Sequence, residues 1–367
     1  MDKDELFYTL VLQKVPNLGD ASAKKLIQKL GSARAIFKEK KSRLLKIDGI
    51  GSFKLKELDS KDFFALAEAE IKYIEDNTID YFYYKDEKYP EKLKHCLDGP
   101  VLFFQRGNIN LNNKRILSIV GTRKVTTYGS AFCERLVEEL APLNPIIVSG
   151  FAYGVDIIAH KAAIKNNLQT IACLAHGLNQ FYPKSHSKYV KDVESNGGFI
   201  TEFWSSDAFD RTNFLKRNRI IAGISDATIV IESAAKGGSL VTADIANSYN
   251  RDVFAVPGRV TDSQSEGCNN LIKTQSAHLL TGAADLVYIL NWKLEDEKPK
   301  TVQKQLFVEL TEQEKEVYRF LKENPKEQLD IIAIKCNLPV FKATTVLFDM
   351  ELKGVVRPLP GKIFDLC

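Results

Sequence analysis

The chain has 367 residues, of which 44% are apolar and 10% aromatic, and its 51 Lys and Arg against 47 Asp and Glu give a formal charge of +4. This hydrophobicity argues against wholesale disorder, the lack of an 18-residue apolar run argues against a membrane span, and the charged N-terminus is unlike a secretion signal. The 6 cysteines have no CxxC spacing, which favours reduced thiols in a cytoplasmic protein over a disulfide framework or a zinc site.

The first 78 residues have a helical spacing of apolar residues and an uneven charge. Residues 14–56 hold 12 basic and 3 acidic residues, whereas residues 57–80 hold 2 basic and 8 acidic ones. Residues 15–19 and 47–51 repeat a glycine-containing turn, which predicts a small all-α helix-hairpin-helix (SAM-like) domain over residues 1–78. Such turns leave backbone N–H groups free for a phosphate, but two ordinary helix corners with glycine caps account for the pattern equally well.

From residue 79 onward, short β-branched runs alternate with amphipathic helical stretches. Strands are predicted at 116–120, 146–148, 170–174, 199–200, 227–231 and 253–256, and helices at 128–140, 155–165 and 240–249. This alternation predicts an α/β domain over residues 79–292 whose mostly parallel sheet is covered on both faces. Ligands of such sheets bind beyond the carboxyl ends of the strands, so the loops at those ends are the candidate sites.

The last part of the chain has the outline of a winged-helix domain. Residues 293–305 are charged and aperiodic, as in a linker, and residues 306–367 show three helices, the first after a capping-box start at Thr311, and two terminal strands. The domain holds 9 basic and 10 acidic residues. This near-neutral, slightly acidic charge favours a role in protein contact or in supporting a dimer over binding of duplex DNA. Lys353, Arg357 and Lys362 leave a local basic patch as the alternative.

Two loops at strand ends combine glycine with groups that could bind an anion. The first, at Gly121, Thr122 and Arg123, leads into a helix whose N-terminus favours an anion, and the Arg fork suits a phosphate. An ordinary strand–glycine–helix turn is the alternative. The other loop, residues 236–239, opens a helix with Lys-Gly-Gly-Ser, which is a backbone nest for phosphate without the order of a Walker A motif.

A third loop, residues 149–156, has two glycines that permit close approach of a ligand to the backbone. Asp156 and His160 are four residues apart and share one side of a helix. They are either an acid–base pair, or an Asp stabilised by the helix dipole at the N-terminus and a His buried by packing. We favour the packed His, because no nucleophile accompanies the pair.

The segment 210–223, just before a buried strand, combines several basic residues with an aromatic one. Arg211, Lys216, Arg217 and Arg219 surround Phe214 there. If the segment is helical, Lys216 and Arg219 share one side. Cations that follow a phosphate backbone while an aromatic ring stacks on bases are typical of sequence-neutral single-strand binding. A solvated surface helix with Phe214 packed inward is the alternative.

These motifs, taken in order, resemble those of the DNA-processing protein A (DprA, Smf) family. The resemblance rests on residues 119–123, 149–156, 216–223, 236–243 and 256–258, with Tyr89-Pro90 and residues 267–272 also fitting. It implies a Rossmann-like domain that forms a homodimer, binds single-stranded DNA, protects DNA imported during natural transformation and loads the recombinase RecA. It implies neither a cofactor nor a metal.

Carried onto this chain, the resemblance places Arg123 on a phosphate and Phe214 against a base. Arg211 then occupies a DNA-contacting position, and Lys216, Arg217 and Arg219 line the same pocket. The residues assigned to DNA binding are Gly121, Thr122, Arg123, Ser149, Gly150, Arg211, Asn213, Phe214, Lys216, Arg217, Asn218, Arg219, Lys236, Gly237, Gly238 and Ser239.

Two other functions compete with this prediction. A Rossmann-like enzyme that hydrolyses nucleoside monophosphates would use Glu232 beside a Gly-Gly-x-Gly-Thr loop, but residues 236–240 read Lys-Gly-Gly-Ser-Leu. A duplex-DNA regulator would use the helical N-terminus and the winged helix, and the acidic balance of the latter argues against it.

Overall fold

The computed structural model describes residues 1–111, 115–293, 310–359 and 362–366. The chain divides into two compact units, Met1–Leu294 and Glu295–Cys367. The predicted linker, residues 293–305, lies outside the described residues except for its first position.

Five helices form the N-terminal region. They are α1 (Lys3–Lys14), α2 (Gly19–Leu30), α3 (Ala33–Lys38), α4 (Lys41–Leu44) and α5 (Lys61–Asp76), with a 3-10 helix at Ser52–Leu55. Asp2 caps α1 by accepting a hydrogen bond from the Glu5 amide, and Ser32 caps α3 in the same way. The apolar core of this region continues into the edge of the following sheet, so the helices and the sheet share one core.

The two N-terminal turns that repeat in the sequence contain residues with left-handed backbone. Asn17 and Gly19 have φ of +62° and +58° between α1 and α2, the left-handed region that Asn and Gly tolerate. The second turn contains Gly49 at φ +76°. The 3-10 helix Ser52–Leu55, which carries Lys54, follows this second turn, and α5 begins after Ser60.

A nine-stranded mixed sheet forms the centre of the first unit. Its strands are β1 (Asp80–Tyr83), β2 (Leu102–Gly107), β3 (Ile116–Val120), β4 (Ile146–Ser149), β5 (Thr170–Cys173), β6 (Gly197–Thr201), β7 (Ala227–Val230), β8 (Asp252–Ala255) and β9 (His278–Leu279). The order is β1-β2-β6-β5-β4-β3-β7-β8-β9; β3 to β9 run parallel, and β1 and β2 are antiparallel to their neighbours. This confirms the predicted mostly parallel, Rossmann-like sheet.

Helices cover both faces of the sheet. They are α6 (Glu91–Lys94), α7 (Thr127–Leu140), α8 (Val155–Lys165), α9 (Val190–Ser195), α10 (Thr212–Ile224), α11 (Gly238–Ser248), α12 (Glu266–Lys273) and α13 (Ala283–Ile289), with 3-10 helices at Ala141–Leu143 and Lys184–Tyr189. Helices α7, α8 and α13 pack against one face through Leu117 and Ile119 of β3. Helices α10, α11 and α12 pack against the other through Ile116 and Val120, because successive strand residues point to opposite faces.

The strand order places a topological switch point between β3 and β7. The chain leaves β3 toward β4 on one side, and it leaves β7 toward β8 on the other. The loops after these two neighbouring strands therefore diverge and leave a crevice at their carboxyl ends, which is where ligands of open α/β sheets bind.

The second unit is a winged helix, as predicted. Its elements are α14 (Glu312–Glu323), β10 (Glu327–Gln328), α15 (Leu329–Lys335), α16 (Val340–Leu352), β11 (Val356–Leu359) and β12 (Ile363–Leu366). The capping box at the start of α14 is present in full, because Thr311 and Glu314 each bond the other's backbone amide.

Among the described residues, no single helix is long and apolar enough to cross a membrane; α15 and α16 reach that threshold only as a pair, across a bend of 106°. Five cysteines fall in the described part of the chain, and all are free and buried. No cluster of metal-ligating side chains occurs there either.

Candidate nucleic-acid interface

A cleft of about 630 Å³ opens at the switch point, and we call it the rim cleft. Its walls come from the loop after β3, the loop after β7 and the first half of α10. Eleven of the predicted site residues line it: Gly121, Thr122, Arg123, Arg211, Phe214, Arg217, Asn218, Lys236, Gly237, Gly238 and Ser239.

The loop after β3 owes its shape to two glycines. A Cβ on Gly121 would lie 2.5 Å from the Val155 side chain, and one on Gly154 would lie 2.2 Å from the Thr122 carbonyl oxygen. Gly154 also has φ of +78°, which other residues rarely adopt. Close packing of this loop on the start of α8 thus leaves Thr122 and Arg123 at the cleft wall.

The loop after β7 presents the N-terminus of α11 to the cleft. Gly237 is the N-cap of this 11-residue helix, and it offers no side-chain cap for the first amides. The Ser239 hydroxyl bonds Ser233 instead, at 3.0 Å. Uncapped amides and the helix dipole both favour an anion at this end of the cleft.

Phe214 and two residues that the sequence prediction missed form the aromatic part of the cleft. The Phe214 ring lies 5.7 Å from the ring of Phe209 and 6.1 Å from that of Tyr182. The rings of Tyr182 and Phe209 are 4.7 Å apart, and both are more than 40% exposed. We call these three residues the aromatic platform.

Two arginines border the platform. The Arg123 guanidinium lies 5.2 Å from the Phe214 ring centroid, and that of Arg217 lies 5.9 Å from it. Arg123 is exposed, whereas Arg217 is buried and donates to the Cys173 carbonyl. Burial lowers the pKa of Arg217, and its Nε has no hydrogen-bond partner among the described residues.

The rim cleft is strongly basic. Its lining contains five cationic residues and one acidic residue, Asp156. The cations are Arg123, Lys124, Arg211, Arg217 and Lys236. A cleft of one sign concentrates ligands of the opposite sign.

The remaining cations of α10 face elsewhere, which corrects the prediction that Lys216, Arg217 and Arg219 share a pocket. Lys216, Arg219 and Asn213 line a second cavity of about 660 Å³ between α10 and the α1–α2 turn, which we call the hairpin cavity. Consecutive helix residues point about 100° apart, so Arg217 cannot face the same way as Lys216. The expectation that Lys216 and Arg219 share one side is confirmed.

Arg219 is the centre of an ion-pair network rather than a free cation. It bonds Asp20 at 3.0 Å, and it also bonds Glu202 and the Asp98 carbonyl. Asp20 in turn accepts a hydrogen bond from the Val101 amide. The network ties α2 to the sheet domain, so the charge of Arg219 is compensated inside the protein.

The hairpin cavity has the opposite charge balance from the rim cleft. Its lining contains three cationic and five acidic residues: Lys14, Lys216 and Arg219 against Asp20, Asp98, Glu202, Asp207 and Asp210. The α1–α2 turn opens onto this acidic lining, which disfavours a phosphate there. Near the second turn, Lys54 donates to the Gly49 carbonyl and to the Ser22 hydroxyl, both at 2.9 Å.

Two predicted residues of the loop after β4 lie beneath the surface. The Ser149 hydroxyl is buried and donates to the Ile119 carbonyl at 2.6 Å. Gly150 is packed so tightly that a Cβ would lie 2.3 Å from Asp156 and 2.5 Å from Arg217. Neither Ser149 nor Gly150 lines the rim cleft; both support its floor.

His160 has the structural role that the sequence favoured. It is fully buried between Gly150 and Thr170, with ring-nitrogen contacts of 2.5 and 2.7 Å to their oxygens. Burial lowers the pKa of His160, so the imidazole is neutral at pH 7.

Glu232, the residue on which the enzyme alternative depends, is engaged at the start of α7. Its carboxylate accepts hydrogen bonds from the amide, at 2.8 Å, and from the hydroxyl of Thr126, the N-cap of α7. It lies against Gly129, where a Cβ would be 2.5 Å from the carboxylate carbon. Glu232 is buried and does not line the rim cleft.

Comparison with known proteins agrees with this geometry. The family model of DNA recombination-mediator protein A matches residues 80–291, and that of the DprA winged helix domain matches residues 303–362. DNA processing protein DprA of Streptococcus pneumoniae is 36% identical over 202 residues, which is 55% of this chain and 71% of that protein. Protein Smf of Escherichia coli is 33% identical over 279 residues, 75% and 74% of the two chains.

Two solved structures are also similar. The X-ray structure of the S. pneumoniae protein superposes with a TM-score of 0.65 at 28% identity and covers 78% of this chain and 98% of its own. The structure of DNA processing protein A from Helicobacter pylori, described for its single-stranded DNA binding mode, has a TM-score of 0.52 at 28% identity. It covers 58% of this chain and 95% of its own.

Proposed function

We propose that this chain, which belongs to the DNA recombination-mediator protein A (DprA, Smf) family, binds single-stranded DNA without sequence preference in its rim cleft. We further propose that it acts in the cytoplasm as a homodimer through its sheet domain. There it protects incoming DNA and loads the recombinase RecA onto it during natural transformation.

One observation carries the proposal: an aromatic platform, in which Tyr182 and Phe209 are exposed and Phe214 is half-buried, lies beside exposed cations and an uncapped helix N-terminus in a single cleft. Each part matches one chemical group of a nucleotide strand. Aromatic faces stack on bases regardless of sequence, and Arg123 and the first amides of α11 suit phosphates. A duplex would hide its base faces from Phe214, so the platform selects an unpaired strand.

The assignment of no enzymatic activity is part of the same proposal. Because Thr126 engages both oxygens of Glu232, this carboxylate is committed to holding α7. Incubation with AMP tests the enzyme alternative. We expect no release of adenine, and its release would show a hydrolytic activity.

Binding of a fluorescent oligothymidine by Arg123→Ala tests the site. Loss of a charge-assisted hydrogen bond is worth about 1.5–3 kcal/mol, so we expect the Kd to rise at least about tenfold. The measurement is fluorescence anisotropy at a fixed salt concentration.

Arg135→Ala is the matched control. Arg135 is an exposed arginine on α7 whose guanidinium lies 5.3 Å from the Phe132 ring, nearly the distance between Arg123 and Phe214. It does not line the rim cleft. Equal affinities for the two variants would place the strand outside the cleft.

Transfer to the recombinase needs a separate measurement. The protein should speed assembly of RecA on a strand covered by a single-strand-binding protein, and Arg123→Ala should lose this effect in parallel with its affinity. Normal DNA binding without any acceleration would refute the loading role while leaving the binding role intact.

A further inference from the structure

The winged-helix unit exposes an apolar stripe along α16. Phe341, Phe348 and Leu352 are 76%, 57% and 72% exposed. Thr345 lies between them, and its hydroxyl donates to the Phe341 carbonyl at 3.1 Å. The spacing of 4, 3 and 4 residues puts these four side chains on one side of the helix. We call them the α16 stripe.

This stripe lies apart from the face that builds the core of the unit. Ala343, Val346, Leu347 and Met350 of α16 are buried in that core. A helix that is apolar on two sides is unusual at a protein surface, where a contiguous apolar patch marks an interaction site.

The stripe has the spacing of a short coiled-coil seam, and charged residues flank it. With Thr345 at position a and Phe348 at position d, Lys342 and Asp349 both fall at position e. Neither side chain has a hydrogen bond or an ion pair within the described part of the chain. They are seven residues apart, or about 10.5 Å along the axis.

We infer that α16 pairs in antiparallel orientation with α16 of a second copy of this chain. A two-fold axis near the middle of the helix sets Lys342 of each copy opposite Asp349 of the other and so forms two equivalent ion pairs. The same register sets Phe341 opposite Leu352, and Phe348 opposite the small Thr345. A two-fold interface requires this self-complementarity.

The surroundings of the stripe fit a second helix. A groove of about 540 Å³ runs beside it between α16 and the start of α14, and Thr345 and Leu352 line that groove too. DNA is a poorer occupant, because three of the four stripe residues are large and apolar and residues 306–367 hold 9 basic and 10 acidic residues. A foreign apolar helix would cover the stripe but would have no reason to place opposite charges against both Lys342 and Asp349.

The α16 pairing is independent of the rim cleft and of the proposed dimer through the sheet domain. The α16 pair either strengthens that dimer, where both surfaces join the same partner, or extends the assembly, where each surface joins a different partner. In both cases the winged helix connects copies rather than reading DNA.

Zero-length carbodiimide coupling of the full-length protein tests the pairing. A mixture of unlabelled and ¹⁵N-labelled protein is coupled, digested and analysed by mass spectrometry for a Lys342–Asp349 crosslink. Within one helix these side chains are too far apart to couple, so the expected product joins labelled to unlabelled peptide. A reaction that crosslinks other sites but never these two between copies would overturn the proposal.

Substitutions make the test specific. Phe348→Glu should lower the yield of this crosslink at least about tenfold and weaken a self-association step in sedimentation velocity, since a charge would be buried in the seam. Ile334→Glu, at a 76% exposed apolar residue of α15, should change neither. An unchanged yield in Phe348→Glu, or an equal loss in both variants, would contradict the pairing.

A charge exchange covers the case in which Phe348→Glu misfolds. Lys342→Asp or Asp349→Lys alone sets like charges opposite each other and should weaken the sedimentation step. The double variant, which carries both substitutions, should restore the step and the crosslink, with the amine and the carboxylate exchanged between the two positions. Failure of the double variant to recover would count against the antiparallel register.

Discussion

The rim cleft and the hairpin cavity lie on either side of the same helix, α10, and both take cations from the segment 211–219. In the rim cleft, Arg123 and Arg211 are exposed and face one acidic residue. In the hairpin cavity, five acidic residues outnumber three cations, and Arg219 bonds two of the carboxylates. We therefore expect a cluster of cations to bind a polyanion only where the fold leaves their charges uncompensated.

The largest expected effect is on stability and arises in the hairpin cavity. Arg219→Ala leaves Glu202 and Asp20, whose side chains are only 11% and 19% exposed, without their cation. It should lower the free energy of unfolding by about 3–5 kcal/mol. Urea unfolding measures this. The affinity of the folded variant for oligothymidine should stay within about twofold of wild type. A variant of normal stability that no longer bound DNA would show that the strand enters the hairpin cavity.

The next effect belongs to the rim cleft. Phe214→Ala should weaken binding of oligothymidine by about 1–3 kcal/mol for the base that loses its stacking partner. Phe214→Tyr keeps the ring and should bind nearly as wild type does. Isothermal titration calorimetry with both variants measures the affinities. Equal affinities of Phe214→Ala and wild type would show that the aromatic platform is not part of the DNA site.

Sequence alone predicted the parallel strands and the helices between them, because β-branched runs and amphipathic helical periods are local signals. It missed the edge strands β1 and β9 and also β2, which lies next to β1. Strands β1 and β2 have no β-branched run, and β9 has only two residues. The loops after β3 and β7 line one cleft, as expected, because the carboxyl ends of parallel strands lie at the same edge of a sheet.

The partners of each cation could not be predicted in this way. Arg219 bonds Asp20, which is 199 positions away in sequence, and no local pattern indicates that pair. Tyr182 and Phe209 join Phe214 only because the loops after β5 and β6 converge on α10. Sequence identified the motif, whereas tertiary contact decided which of its residues remain free.

A smaller effect concerns pH. Burial raises the pKa of Glu202 to about 7, although Arg219 opposes the shift. A carboxyl whose pKa is raised on folding adds stability below its unfolded pKa near 4.5, and that contribution is lost as pH rises through about 7. Glu202→Gln should therefore gain stability relative to wild type as pH rises from about 4.5 to 7.

The difference between the two proteins is the quantity to measure, by urea unfolding across that range. Buried His160 and His176 have lowered pKa values and act in the opposite direction in both proteins, so they cancel in the difference. A difference that does not change with pH would mean that folding does not raise the pKa of Glu202.

The smallest effect is electrostatic. Lys236→Ala should reduce the slope of log affinity against log salt by about 0.7 if Lys236 neutralises one phosphate of a single strand. Lys14→Ala, in the hairpin cavity, should leave the slope unchanged, because Lys14 pairs with Asp207. Equal slopes for the two variants would contradict the claim that only the rim cleft contacts the phosphates of the strand.

Photo-crosslinking of a 4-thiothymidine oligonucleotide, followed by peptide mapping, tests most directly whether the rim cleft holds an unpaired strand. We predict adducts on the peptides that contain Tyr182, Phe209 and Phe214, and their loss when unlabelled single strand is added in excess. Adducts confined to residues 12–23 of the hairpin cavity, or to the winged-helix unit, would contradict the account.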